Sequence, residues 1–274
     1  MTEDIAALQV VSVATIRRFA GKLNFLAGVV PTIRPVLWPL WAVLAPSQSP
    51  GADDAARALG LLSSSGDRKR SGYWVHVRRL RRCIAWLRAY WSLQAGALTR
   101  EVPLDDPPVG FCISTDASPW GIGAILQSPA GDIVAYFTDA LTSEDERQLR
   151  ARIGVPDHQS VWELLAMVVA LKAWKHVFAH AGVFRLRADS MAALSALHKQ
   201  ASMSGAMNKL LLILSLHEAE LVGGASVLEH VPGLVNVLPD TLSRLAAPDP
   251  PSMPAALVGV PRTAVQRDAS FWLT

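Results

Sequence analysis

Residues 111–138, FCISTDASPWGIGAILQSPAGDIVAYFT, decide the fold. Phe111 to Asp116, Gly121 to Gln127 and Asp132 to Thr138 are short apolar or alternating runs, separated by turn formers that include Pro129, Ala130 and Gly131. Side chains on a strand alternate between two faces, so such runs predict three short strands in an antiparallel meander. Downstream, apolar spacings of three and four alternate with further strand-like runs. They predict a helix from about Gln159 to Ala179, a strand Val183 to Asp189 and helices near Met191–Lys199 and Ala206–Leu221. A strand Ala225 to Val231 and a last helix from about Asn236 follow. The order βββαβααβα belongs to the α/β class.

Upstream the character changes. Val13, Ile16, Phe19, Ala20, Leu23 and Leu26 recur at helical intervals, with Arg17, Arg18 and Lys22 between them. Val77, Leu80, Ile84, Leu87 and Trp91 do the same, with Arg78, Arg79, Arg81, Arg82 and Arg88 on the other faces. Between these helices, residues 46–72 are rich in Ser, Gly, Pro and Ala and finish with Arg68, Lys69 and Arg70, as a surface connection would. DDPPVG at 105–110 stops regular structure. The expected organisation is a basic helical region over 1–104, an α/β domain over 110–246, and a Pro-rich tail over 247–274 with a docking segment at Phe271 and Trp272.

Charge follows the same division. Residues 1–100 hold 14 Lys/Arg against 5 Asp/Glu, whereas residues 101–274 hold 12 against 18. A basic arm beside a carboxylate-rich domain suits polyanion binding next to a cation-holding site. Cys83 and Cys112 are the two cysteines, with no CxxC, so neither a disulfide framework nor a zinc knuckle is supported. Pro31, Pro35, Pro39 and Arg34 interrupt the most apolar stretch, which excludes a membrane span there, and Glu3 and Asp4 do not suit a signal peptide. An intracellular setting, cytoplasmic or nuclear, is expected.

Four carboxylates stand where this element order can gather them. Asp116 ends the first strand, Glu163 lies in the first turns of a helix, Asp189 ends the fourth strand and Asp240 enters the last helix, at separations of 47, 26 and 51 residues. Ligand groups collect at the ends of neighbouring strands in α/β sheets. Converged carboxylates repel one another unless protonated or bridged by cations, and hard oxygen donors suit Mg²⁺. Paired divalent ions are suited to phosphodiester hydrolysis. Singly, each acid reads more readily as a surface residue than as a ligand, and Asp189 and Asp240 read also as helix caps.

These residues carry a resemblance. Asp116, Glu163, Asp189 and Asp240 resemble the D-E-D-D set of the ribonuclease H family, and EHVPGLVNVLPDTLSRL, residues 229–245, resembles the His-x-Pro-Gly…Asn…Asp-x-Leu-Ser-Arg signature of its retroelement members. The resemblance covers about residues 110–246. It implies a mixed five-stranded sheet flanked by helices, with three antiparallel strands and then two parallel ones, preceded by a helical region like the thumb and connection of a reverse transcriptase. It implies endonucleolytic cutting of the RNA strand of RNA/DNA hybrids with two Mg²⁺ ions, for which Mn²⁺ can substitute.

By the same resemblance His230, ten residues before Asp240, assists proton transfer or product release, and Asn236 contacts the substrate backbone. Ser118, Ser190, Arg78, Arg81 and Arg82 complete the expected substrate contacts. No Tyr-x-Asp-Asp occurs, so a polymerase site is absent from this sequence and a polymerase domain is an expected partner; a membrane is not.

Two other readings use the same residues: a remnant that binds nucleic acid without cutting it, and a connection that only supports a polymerase. His176 and His180, an i, i+4 pair, read as a solvated or packed helix face rather than a metal site. Most of the tryptophans read as core, and Trp120, in the turn after the first strand, is the exception.

Overall fold

The computed structural model describes residues 10–44, 54, 56, 74–93, 109–178, 183–218 and 225–272. Apart from residues 54 and 56, the expected connection at 46–72, including residues 68–70, falls outside them, as does His180. The chain divides into two compact units, residues 1–96 and 97–274.

In the first unit β1 (Val10–Ser12) leads directly into helix α1 (Val13–Val29), which the Ser12 hydroxyl caps by accepting from Thr15 N at 3.1 Å. The expected apolar face, Val13, Ile16, Phe19, Ala20 and Leu23, is buried. Ala27 closes that face in place of Leu26, which is exposed. Helix α2 (Arg34–Val43) was not expected. Pro35 occupies its first turn, where no intrahelical donor is needed, and only Pro39 lies in its interior. A second strand, β2 (Trp74–His76), pairs antiparallel with β1, so this unit is not purely helical. A 3₁₀ turn, Val77–Arg79, opens into α3 (Arg81–Leu93). Leu80, Ile84 and Leu87 are buried and Arg78, Arg79, Arg81, Arg82 and Arg88 are exposed, as the spacing predicts.

The second unit is built on the meander. β3 (Val109–Ala117), β4 (Gly121–Gln127) and β5 (Ile133–Ala140) pair antiparallel in succession. A polar helix, α4 (Ser143–Leu149), then precedes α5 (Gln159–Ala173) and the short α6 (Lys175–Phe178). β6 (Val183–Ala188) adds parallel to β3, α7 (Met191–Lys199) and α8 (Gly205–Glu218) follow, and β7 (Ala225–His230) adds parallel to β6. The sheet order is β5-β4-β3-β6-β7, the mixed five-stranded arrangement expected. The last helix of the expected order, α9 (Val237–Ser243), lies over β4 and β3.

Helix α5 is the centre of the core. Every residue from Val161 to Leu171 is buried, because the helix is enclosed by the sheet, α7 and α8 and has no solvent side. Trp162 and Trp174 belong to this core. Segment 247–272, expected as a tail, is built into the unit. Tyr136 N donates to Pro261 O (3.2 Å) and Thr263 N to Tyr136 O (2.7 Å), which extends the outer edge of β5. The segment then enters α10 (Ala269–Trp272), where Phe271 and Trp272 are buried in the same core as Trp162. Its anchor is Arg267, which contacts Asp139 at 2.5 Å and the fully buried Asp145 at 2.9 Å. Among the described residues no helix is long and apolar enough to cross a membrane.

Candidate metal centre

The parallel register of β3 and β6 sets Ser114 opposite Arg187. Two residues further on each strand, Asp116 and Asp189 therefore emerge at the same end of the sheet, on the same face. Glu163 reaches them from the second turn of α5, which packs on β3. One carboxylate oxygen from each of Asp116, Glu163 and Asp189 lies within 4.8 Å of the others. Asp116 and Glu163 are each 3% exposed, so two of these three acids are held almost without water.

Such burial sets their protonation. Desolvation pushes the Asp116 carboxyl up to about 7, and the charges of Asp189 and Asp240 add to the effect while the Ser243 hydroxyl opposes it. Burial likewise raises Glu163 well above the ordinary range, helped by Asp116 and opposed by Gln159. The Gln159 amide donates to Glu163 Oε1 at 2.8 Å and also to Ala117 O, so it spans from α5 to the end of β3. The other oxygen, Glu163 Oε2, is buried and has no hydrogen-bond partner among the described residues. Three hard oxygen donors and one unpartnered buried carboxylate oxygen fit a divalent cation, which would supply what that oxygen lacks.

The fourth acid is placed differently. Asp240 is not in the 4.8 Å group; its side chain is 39% exposed and Oδ1 accepts from Arg244 at 2.7–2.8 Å, one helical turn on. It is near enough for its charge to act on Asp116. His230 closes β7 and is exposed, with Nε2 3.1 Å from Asp189 O. A carbonyl can only accept, so this contact assigns the proton to Nε2 and leaves Nδ1 as the acceptor of the neutral ring.

Two expected substrate contacts have other occupations. Asn236 is buried, and its amide donates to Thr115 O at 2.9 Å, fastening the loop after β7 to the strand that carries Asp116. Ser118 is also buried; its hydroxyl accepts from Gly121 N and Trp120 N and donates to Ser243 O at 2.7 Å. Each is a buried polar group satisfied internally, and sequence spacing does not show which groups are buried. Ser190 caps α7 by accepting from Ala193 N and is half-buried beside Asp189. Arg78, Arg81 and Arg82 are exposed in the first unit. Gln159 and Ser243 are residues the sequence did not single out. Ser243 was visible only as part of the Asp-x-Leu-Ser-Arg string.

Residues 106–217 match the model of the RNase H-like domain found in reverse transcriptase. Over that stretch the chain is similar to the RNase H-like domain of reverse transcriptase. The matched stretch holds Asp116, Glu163 and Asp189 and stops before His230, Asn236 and Asp240. Solved structures similar to the chain include RNase H1 from the archaeon Halobacterium salinarum, at 21% identity and a TM-score of 0.39, covering 50% of this chain and 96% of that one. The N-terminal RNase H domain of a Mycobacterium tuberculosis protein, at 16% and 0.39, covers 50% and 93%. A foamy viral protease-reverse transcriptase in complex with an RNA/DNA hybrid, at 13% and 0.31, spans 93% of this chain but 28% of its own. No curated protein matches the sequence. In this chain the mixed sheet, in the order β5-β4-β3-β6-β7, brings Asp116 and Asp189 to neighbouring strand ends.

Proposed function

We propose that this chain cuts the RNA strand of RNA/DNA hybrids internally by hydrolysis, as part of a retroelement reverse transcriptase. The observation that carries the reading is the trio Asp116, Glu163 and Asp189, mutually repelling and within 4.8 Å, with Asp116 and Glu163 buried and Asp189 half-buried. Residues 110–246 form the nuclease domain and 1–104 the thumb- and connection-like region in this proposal. Asp116, Glu163, Asp189 and, from its more exposed position, Asp240 would hold two Mg²⁺ ions. When bound, such ions lower the pKa of a water and stabilise charge on the leaving oxygen.

The remaining tasks fall to the protein. Gln159 fixes Glu163, and Asn236 fixes the strand end under Asp116. His230 holds or releases a proton at Nδ1, since Nε2 is committed to Asp189 O. Ser190 and the arginines at 78, 81 and 82 bind substrate phosphates, the arginines through charge. Mn²⁺ substitutes for Mg²⁺, both being oxygen-preferring ions.

Incubation with a labelled RNA/DNA hybrid, with Mg²⁺ or with EDTA, tests the reading, with duplex DNA and duplex RNA as controls. Cleavage is expected of the hybrid alone and only with Mg²⁺. Asp116→Asn is expected to lower the rate roughly a thousandfold or more, as loss of a group essential to the chemistry does. Hybrid binding without any cleavage by the wild type would turn the assignment to a non-catalytic binding module.

A further inference from the structure

We propose that Ser243 is the positioning residue for Asp116, set at the right height by a side-chain-free track at Gly121 and Gly123, and that cation binding at the acid trio depends on it. The inference rests on the metal-site reading above and assigns a role to a residue outside the acids themselves.

Ser243 is fully buried, and its hydroxyl donates to Asp116 Oδ2 at 2.8 Å. The same oxygen lies 2.9 Å from Asp240 O in the preceding turn. With a single proton to give, the hydroxyl favours the carboxylate, whose bond is charge-assisted, and the backbone contact keeps its rotamer. One oxygen of Asp116 is thereby fixed in direction, and the carboxylate keeps Oδ1 for a ligand. Nothing in this bond neutralises the charge, so it orients Asp116 without displacing a cation.

The height of Ser243 is set by glycines. A Cβ at Gly123 would lie 2.5 Å from Leu242 Cβ, 2.6 Å from Ser243 N and 2.7 Å from Pro239 O, and one at Gly121 would lie 2.7 Å from Ser243 O. Helix α9 thus rests on the backbone of β4, closer than any side chain permits. Two hydroxyls hold it there from below, Ser118 donating to Ser243 O and Thr138 to Leu242 O, each at 2.7 Å. Because α9 also carries Asp240, a single seating fixes both acids relative to each other.

The test is titration of the full chain with Mn²⁺ alone, without nucleic acid, followed by electron paramagnetic resonance of the free ion. Ser243→Ala is expected to weaken Mn²⁺ binding roughly tenfold or more, the usual cost of losing a group that orients a metal ligand. Thr138→Val removes another hydroxyl bond to the same helix without touching Asp116, and is expected to lower the melting temperature while leaving Mn²⁺ affinity close to wild type. Gly123→Ala, which keeps Ser243 but lifts the helix, is expected to lose affinity as Ser243→Ala does. Wild-type affinity in Ser243→Ala, or an equal loss in Thr138→Val, overturns the inference. Failure of the wild type to cut a hybrid, with Mn²⁺ binding and its dependence on Ser243 intact, removes the nuclease reading and leaves this one standing.

Discussion

Asp116 shows what burying an acid does to the pH dependence of a fold. Its folded pKa is about 7 against an ordinary value of 3.8. Between about pH 4 and 7 the folded state therefore holds a proton that the unfolded state has lost, so stability falls as pH rises through this window. Over three pH units the loss is on the order of 4 kcal/mol. Glu163 is shifted in the same direction and adds to the slope. We predict that the melting temperature in EDTA drops steadily from pH 4 to pH 7, and that Mg²⁺ restores it at pH 8. Glu163→Gln keeps the shape and removes a charge, so it is predicted to melt higher than wild type at pH 8 in EDTA while losing cleavage. A flat pH profile for the wild type would show that the acids are hydrated rather than buried.

At the scale of elements, legibility followed periodicity. The three strands of 111–138 alternate, and each appears within a few residues of its expected place. Helix α4, SEDERQL, has no apolar repeat to read. It exists because Thr142 and Asp145 form a reciprocal capping box at its start, and Thr142→Ala is accordingly predicted to cost about 1 kcal/mol in urea unfolding. β1 and β2, three residues each, pair across more than sixty positions, too short and too distant for any local pattern to announce. Helix α2 was hidden by its prolines. The acids of the site were legible as a spaced set. Their supports were not, because Gln159, Asn236 and Ser243 act through which partner each one faces, and only the folded chain states that.

For the whole second unit, the segment after residue 246 is the part that composition misrepresents. Proline-rich chains usually lack the apolar content to pack, yet here a few anchors suffice: Arg267 between Asp139 and Asp145, Thr263 accepting from Trp174 Nε1, and the Phe271–Trp272 pair. Removing Arg267 leaves Asp145 buried with its charge uncompensated, a change that costs about 3–5 kcal/mol. Arg267→Ala is therefore predicted to lower the urea midpoint strongly without altering the acid trio, and truncation after residue 246 to yield an aggregating protein with β5 left as an open edge. An Arg267→Ala protein as stable as wild type would show that the segment is merely draped on the surface.

Helix α5 has one more consequence. With all its flanks enclosed and Glu163 projecting from one end, it has no outward face on which substitutions can accumulate harmlessly. A methyl group gained or lost anywhere along it shifts a rigid rod whose tip is the acid. Interior filling and reactivity are thus inherited together in this unit, and a lineage that drifts in one must readjust the other or fall silent.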